Sequence, residues 1–418
     1  MADGTVTYMG KRSVVSTIST QSKKLCNLSV LDRLMEPNQV KVVYYYPSRE
    51  NVEPGEWIKK LRDSLSTVLS NFPIVAGRLQ KNEKGHWVVK CNDGGLRMME
   101  AKAKGSVEDW LKSVDRDKEL KLIYWEDMFH KPYFWSTFYV QVTEFEKGGV
   151  AIGLSCTHLL ADPTCVTMFL KAWADSTLSG KMSCPPFFHS LPQPEENDHF
   201  SFNKKNPNQD LINYYKSSIE RPITLLISNQ KYATITLSFR DSMVRDCIGM
   251  ARATNTCSPA FETLAALFWV DIESAVNVGA ENMLQEATKA IGEVVKKMDG
   301  EEIKDLIQWL KCNDHNNDRA VPSMNGYDLV CANLEGVNPY LAIFKDRLEP
   351  LRVSYYVEPM VGPGRVQIMQ PPPGAAGEGP LSRVVMATLP EDEVAMLCKD
   401  ELIQRFSPTV LMGSSTKY

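Results

Sequence analysis

The chain has 418 residues and a net charge of −4, and its 47 Lys and Arg are scattered without a basic block, which argues against a nucleic-acid surface. Its length supports two or three domains, each with a full core, and no run reaches the ~18 uninterrupted apolar residues of a membrane span. Ten cysteines without a CxxC, six histidines without metal-ligand spacing and a polar start lacking a secretory core together predict reduced thiols, no metal site and a cytoplasmic protein.

Residues 40–46 (VKVVYYY) predict a strand, and Trp57, Leu61, Leu65, Val68 and Phe72 fall on one face of a helix opened near Pro54 and closed by Pro73. Short strands at 87–91 and 96–100 flank the turn of Asn92, Asp93, Gly94 and Gly95, and Ser106 with Asp109 opens a short helix in capping-box fashion. Residues 137–145 and 150–156 surround Glu146, Lys147, Gly148 and Gly149, the pattern of an antiparallel hairpin. His158 leaves this hairpin at its end. Asp162 follows four residues later, in the N-cap position of a helix with Pro163 at N1, Val166, Phe169, Leu170 and Trp173 on one face, and Gly180 after its last turn.

Alternating strands and helices imply an α/β layer architecture. The stretch 183–222 is rich in Pro, Asn, Ser and charge and reads as an ordered crossover between a first domain, 1–182, and a second, 223–418. The second half resumes with a strand at 232–239 and a helix from Ser258 (N-cap) and Pro259 (N1) through Phe261, Leu264, Leu267 and Phe268. Helices at 287–298 and 301–310, strands at 351–357, 365–370 and 383–389, and a helix from Glu391 complete the pattern. The Pro- and Gly-rich loop 371–377 lacks a strand-to-helix context and reads as a turn rather than a phosphate cradle.

A histidine held at a strand end is where a general base belongs, because a neutral imidazole takes a proton near pH 7 only within hydrogen-bond reach of its substrate. The local pattern alone also describes a satisfied core histidine followed by a capping aspartate. His86, His130, His189, His199 and His315 carry no partner pattern and read as structural or surface residues.

Further segments bear on this choice. Leu28 to Asp32 (LSVLD), the run from Leu65 to Leu79 with Pro73, Ala76, Gly77 and Arg78, and Cys91 to Gly95 (CNDGG) occur in that order. They are followed by His158 and Asp162 as HxxxD, by Phe261 to Ala266 with Trp269, and by Ser354 to Val357 with Val361 and Gly362. Together these resemble the motifs of the plant BAHD acyltransferases. The resemblance implies an α/β fold of two similar chloramphenicol-acetyltransferase-like domains with mixed sheets and an interdomain tunnel. It implies transfer of an acyl group from acyl-CoA, a co-substrate rather than a permanently bound cofactor, to a small alcohol or amine acceptor by a cytoplasmic monomer. In that reading His158 deprotonates the acceptor, which attacks the thioester directly with no acyl-enzyme, while Asp162 points away and supports the loop through an arginine.

Three departures stand out. Phe344, Lys345, Asp346, Arg347 and Leu348 occupy the place of the family's Asp-Phe-Gly-Trp-Gly motif and match none of it; Pro163 replaces the glycine that usually follows the HxxxD aspartate. Between Trp269 and Ala287 the family's Arg-bearing strand and Tyr-x-Gly-Asn turn have no counterpart, so part of the second sheet is expected to be missing. Loss of the second motif is also a trait of the eceriferum-two-like (Glossy-type) branch, which residues 339–344 (PYLAIF) resemble. That branch implies an alternative: an accessory protein of very-long-chain fatty-acid elongation in cuticular wax formation, partnered by a condensing enzyme at the endoplasmic reticulum.

Overall fold

The computed structural model describes residues 6–19, 24–48, 55–127, 133–184, 186, 212–214, 216–217, 230–251, 259–273, 280–297, 300–313, 328–374 and 379–413. The first half contains strands β1 (Val6–Val14), β2 (Lys24–Asn27), β3 (Gln39–Tyr46), β4 (Arg78–Lys81), β5 (Trp87–Cys91), β6 (Leu96–Ala103), β7 (Phe138–Phe145) and β8 (Val150–Thr157). Its helices are α1 (Val30–Arg33), α2 (Glu56–Leu69), α3 (Val107–Ser113), α4 (Arg116–Leu120) and α5 (Pro163–Ser179). The second half contains β9 (Tyr232–Phe239), β10 (Val330–Asn333), β11 (Arg352–Glu358), β12 (Arg365–Met369), β13 (Arg383–Pro390) and β14 (Thr409–Met412). Its helices are α6 (Asp241–Ala251), α7 (Ala260–Glu273), α8 (Ala280–Lys297), α9 (Gly300–Asn313), α10 (Glu391–Leu397) and α11 (Glu401–Phe406).

Two mixed sheets organise the molecule. The first has strand order β1-β6-β7-β8-β3-β11 and the second β10-β12-β13-β9-β14, while β2-β5-β4 forms a small third sheet. Among the described residues only β6/β7 and β10/β12 pair in parallel. The hairpin expected from the glycine turn forms as β7 and β8, and Val40 to Tyr46 of β3 are buried but for Lys41 because the strand lies between β8 and β11. Gly153 of β8 is required by crowding: a Cβ there would lie 2.0 Å from the Leu122 carbonyl oxygen, so any side chain would displace the chain crossing that face.

The first core joins the sheet to α2 and α5. Trp57, Leu61, Leu65 and Val68 of α2 are buried as their spacing predicts, and the indole of Trp173 on α5 donates to the Leu61 carbonyl at 3.1 Å. The second core packs Val366, Ile368, Val385, Ala387, Ile235 and Leu237 from one sheet face against α6, α7 and α8. No described helix is long and apolar enough to cross a membrane.

Chain order and sheet membership diverge at β11, which leaves the second half to pair antiparallel with β3, Tyr355 opposite Val42. A buried ion pair fixes it there. Arg352 donates to Glu119 at 2.9 Å, and the same carboxylate accepts from the Tyr45 hydroxyl at 2.8 Å, the Ser354 hydroxyl at 3.1 Å and the Tyr356 hydroxyl. Burial alone would lower the Arg352 pKa, but Glu119 together with Tyr45 and Tyr356 outweighs it and the guanidinium is held above its ordinary value.

Several boundaries differ from expectation. The helix expected at 287–298 begins at Ala280, because Leu284 is also buried and extends the apolar face by a turn. The expected N-cap Ser258 and most of the crossover 183–222 lie outside the described residues, as do 375–378 of the Pro- and Gly-rich loop. The sequence reading passes over β1, β2, β4, β10 and β14, and over α1, α4, α6 and α11.

Candidate active site

His158 sits in the turn between β8 and α5, half-buried, with Thr157 buried before it and Leu159 buried after it. Its backbone N–H donates to the Asn38 carbonyl at 2.9 Å, and the Thr157 hydroxyl accepts from the Leu159 N–H at 3.3 Å, so the turn is tied both to its own strand and to the start of β3. Asn38 is itself buried, and its side-chain amide reaches the Pro359 carbonyl at 3.5 Å, where β11 ends. The backbone of His158 is therefore pinned where three segments meet.

Burial lowers the His158 pKa below its ordinary value of 6.5; a hydrogen bond to its own backbone opposes this, the positive charge of Arg365 lowers the pKa further, and Asp162 and Asp32 raise it only in part. The ring is neutral at pH 7, the form that accepts a proton. Asp32 owes its place to a reciprocal cap: the Ser29 hydroxyl accepts from the Asp32 N–H at 3.1 Å and the Asp32 carboxylate accepts from the Ser29 N–H at 2.6 Å.

Asp162 is exposed and its carboxylate accepts from the Cys165 N–H at 2.7 Å, the N-cap geometry expected for it, with Pro163 at N1 and Gly180 at φ 74° closing the helix. Among the described residues no arginine forms an ion pair with Asp162, so the arginine tether implied by the resemblance has no counterpart there. One turn along, the Thr167 hydroxyl lies 2.7 Å from the Tyr355 hydroxyl, which is 3.2 Å from that of Tyr44, joining α5 to β11 and β3.

The other motif residues hold shape. Arg78 donates to the carbonyls of Gly77 and Gly95 at 2.8 Å and of Gly94 at 2.5 Å, clamping the turn after β5. Phe344, where the family has its glycine-rich motif, is buried edge-on against Trp173 at 4.8 Å and Tyr46 at 5.8 Å, while Asp346 and Arg347 face solvent. An apolar plug thus stands at that position.

The sequence reading misses two residues near the site. Arg365 and Gln367 stand on the face of β12 opposite the second core, with Met369, which packs into the first core. Their alternation with Val366 and Ile368 is the feature that could have singled them out, since a buried strand seldom carries an arginine and a glutamine on one face.

The chain belongs to the BAHD acyltransferases: the family model described as the Transferase family matches residues 4–313. ECERIFERUM 26-like of Arabidopsis thaliana is 32% identical over 155 residues, covering 37% of this chain and 36% of that protein. The fatty alcohol:caffeoyl-CoA acyltransferase of the same plant is 35% identical over 180 residues, covering 42% of this chain and 41% of that protein. The matches therefore span less than half the length of these relatives. The solved structure of vinorine synthase superposes with a TM-score of 0.65 over 97% of this chain and 100% of its own, at 17% identity, and shows the shared fold.

Proposed function

We propose that the chain transfers an acyl group from acyl-CoA to an alcohol or amine, with His158 as general base and no acyl-enzyme. The carrying observation is His158 itself, half-buried at the strand exit with its backbone N–H held by the Asn38 carbonyl; burial lowers its pKa, which favours the neutral ring. Membership of the family and similarity to a protein named for acyl transfer from caffeoyl-CoA support the reading. His158 removes the acceptor proton as its oxygen or nitrogen bonds to the thioester carbonyl carbon. Collapse of that adduct breaks the carbon–sulfur bond, and the imidazolium returns the proton to the departing thiolate. Asp162 acts at a distance, by capping α5 and thereby holding the turn that carries His158. The two substrates meet in a passage between the sheets, which would supply the alignment and water exclusion that such transfer needs. The protein works in the cytoplasm without a resident cofactor.

His158→Ala tests this. Turnover with acyl-CoA and an acceptor panel is expected to fall ~10²–10⁴-fold while the unfolding temperature stays within a few degrees; undiminished turnover overturns the reading.

The Phe344 plug favours a second reading, an accessory role in very-long-chain fatty-acid elongation beside a membrane-bound condensing enzyme. Similarity to ECERIFERUM 26-like supports it. It expects acyl chain length to change when the two are co-expressed, and expects that change to survive His158→Ala. Its disappearance in that variant would favour the transferase.

A further inference from the structure

Alternation along β12 sends Val366 and Ile368 into the second core and Arg365, Gln367 and Met369 toward the first. Register extends this inward face across the sheet: Arg365 is opposite Thr388, which is opposite Thr234, and Gln367 is opposite Met386, which is opposite Thr236. The Tyr355 N–H of β11 meets the Met386 sulfur at 3.4 Å, so the face looks onto the first sheet. Arg365 also lies six residues beyond Pro359, whose carbonyl reaches the asparagine that holds His158.

On this face three polar side chains have a buried atom without a hydrogen-bond partner. Arg365 is 9% exposed, its Nε is buried without a hydrogen bond, and among the described residues it forms no ion pair. Burial lowers its pKa to about 10. The Gln367 Nε2 and the Thr236 hydroxyl, 2% and 1% exposed as residues, are also buried without a partner. Thr234 and Thr388 differ, since their hydroxyls satisfy each other at 2.9 Å. A buried guanidinium with no counter-charge is costly, and the Gln367 amide two residues along the same strand face, in the same condition, adds to that cost; Thr236 lies two strands away, beyond Met386. Such a set is stabilised by an incoming oxyanion that takes several hydrogen bonds at once.

We propose that Arg365 and Gln367, neighbours on one face of β12, form a subsite for a carboxylate carried by the acyl chain or by the acceptor. The proposal rests on the transferase reading for its choice of ligand. A carboxylate suits it better than a coenzyme phosphate, because the pantetheine arm separates the phosphates from the thioester, and the thioester must lie at His158.

The test is calorimetric binding to the whole protein and to Arg365→Met. Malonyl-, succinyl- and glutaryl-CoA are compared with propionyl-, butyryl- and valeryl-CoA, and 4-hydroxybenzoate with 4-hydroxybenzamide. At least one carboxylate is expected to bind tenfold or more tighter than its neutral counterpart, and Arg365→Met to erase that preference while leaving the neutral ligand's affinity unchanged. A preference among the CoA esters assigns the carboxylate to the acyl chain; one among the free benzoyl compounds assigns it to the acceptor. Absence of any preference in the wild type, or its survival in Arg365→Met, overturns the subsite. Weakened binding of unacylated coenzyme A in that variant would reassign the anion to a phosphate and also overturn it. If no CoA species binds but hydroxybenzoate is still preferred, the transferase reading fails and the subsite stands. Ligand-free Arg365→Met is expected to unfold at a higher temperature than wild type, an outcome that a purely structural arginine would reverse. Arg365→Lys, which keeps the charge, provides an independent check through partial retention of the preference.

Discussion

Two buried arginines face the junction of the sheets from consecutive strands, and their environments are opposite. Arg352 on β11 is neutralised by Glu119 inside a network of hydroxyls, and its proton is held more tightly than usual despite burial. Arg365 on β12 has no such partner and its proton is held less tightly, at about 10. A charge that is compensated within the fold stabilises the fold; a charge left uncompensated in the same interior signals that something outside the chain completes it.

Removing one partner of the compensated pair should produce the largest change. Arg352→Met leaves the Glu119 carboxylate buried without its cation and is expected to cost about 3–5 kcal/mol, measured by denaturant unfolding. Adding Glu119→Gln to that variant should recover most of the loss, because the orphaned charge is then gone; no recovery would mean that the pair matters for packing rather than charge. A smaller effect links the second arginine to the histidine. The folded-state pKa of His158 is lowered, so its contribution is fully present above about pH 6.5 and is lost as pH falls from there through the lower folded-state value. The groups facing it are Arg365, Asp162 and Asp32, and Arg365→Met should therefore flatten this acid loss, read as stability against pH between 7 and 5. An unchanged slope would separate the two side chains electrostatically. The smallest effect is expected of Asp162→Ala, about 1 kcal/mol of stability from the lost cap, with a fall in turnover through displacement of the His158 turn.

The same contrast explains what could be read in advance. The hairpin β7/β8, His158 at its exit and the capped start of α5 all follow from glycines, proline and short-range periodicity, and these are local properties. The helix α6 carries an equally legible stripe of Met243, Val244, Cys247, Ile248 and Ala251, which the reading passes over in favour of the nearby strand. By contrast β1 is mostly exposed and shows no alternation to mark it. Nothing within residues 352–358 says that the strand will join the other sheet, since membership depends on partners more than 300 positions away in sequence. The roles of Glu119 and Arg365 are of this kind too: each is defined by which groups tertiary packing supplies or withholds.

The connection between β11 and β12 has a mechanical consequence. Its first strand is stitched into one sheet and its second into the other, so residues 359–364 act as a leash across the junction. Fully drawn out, a stretch of that length reaches on the order of 20–25 Å, and in the folded molecule it is pinned near both ends, by Asn38 to Pro359 and by the Tyr232 hydroxyl to Gly362 at 2.8 Å. However the two sheets breathe, the end of β11 and the start of β12 cannot drift apart independently, and any relative motion is limited to the span that this short tether permits.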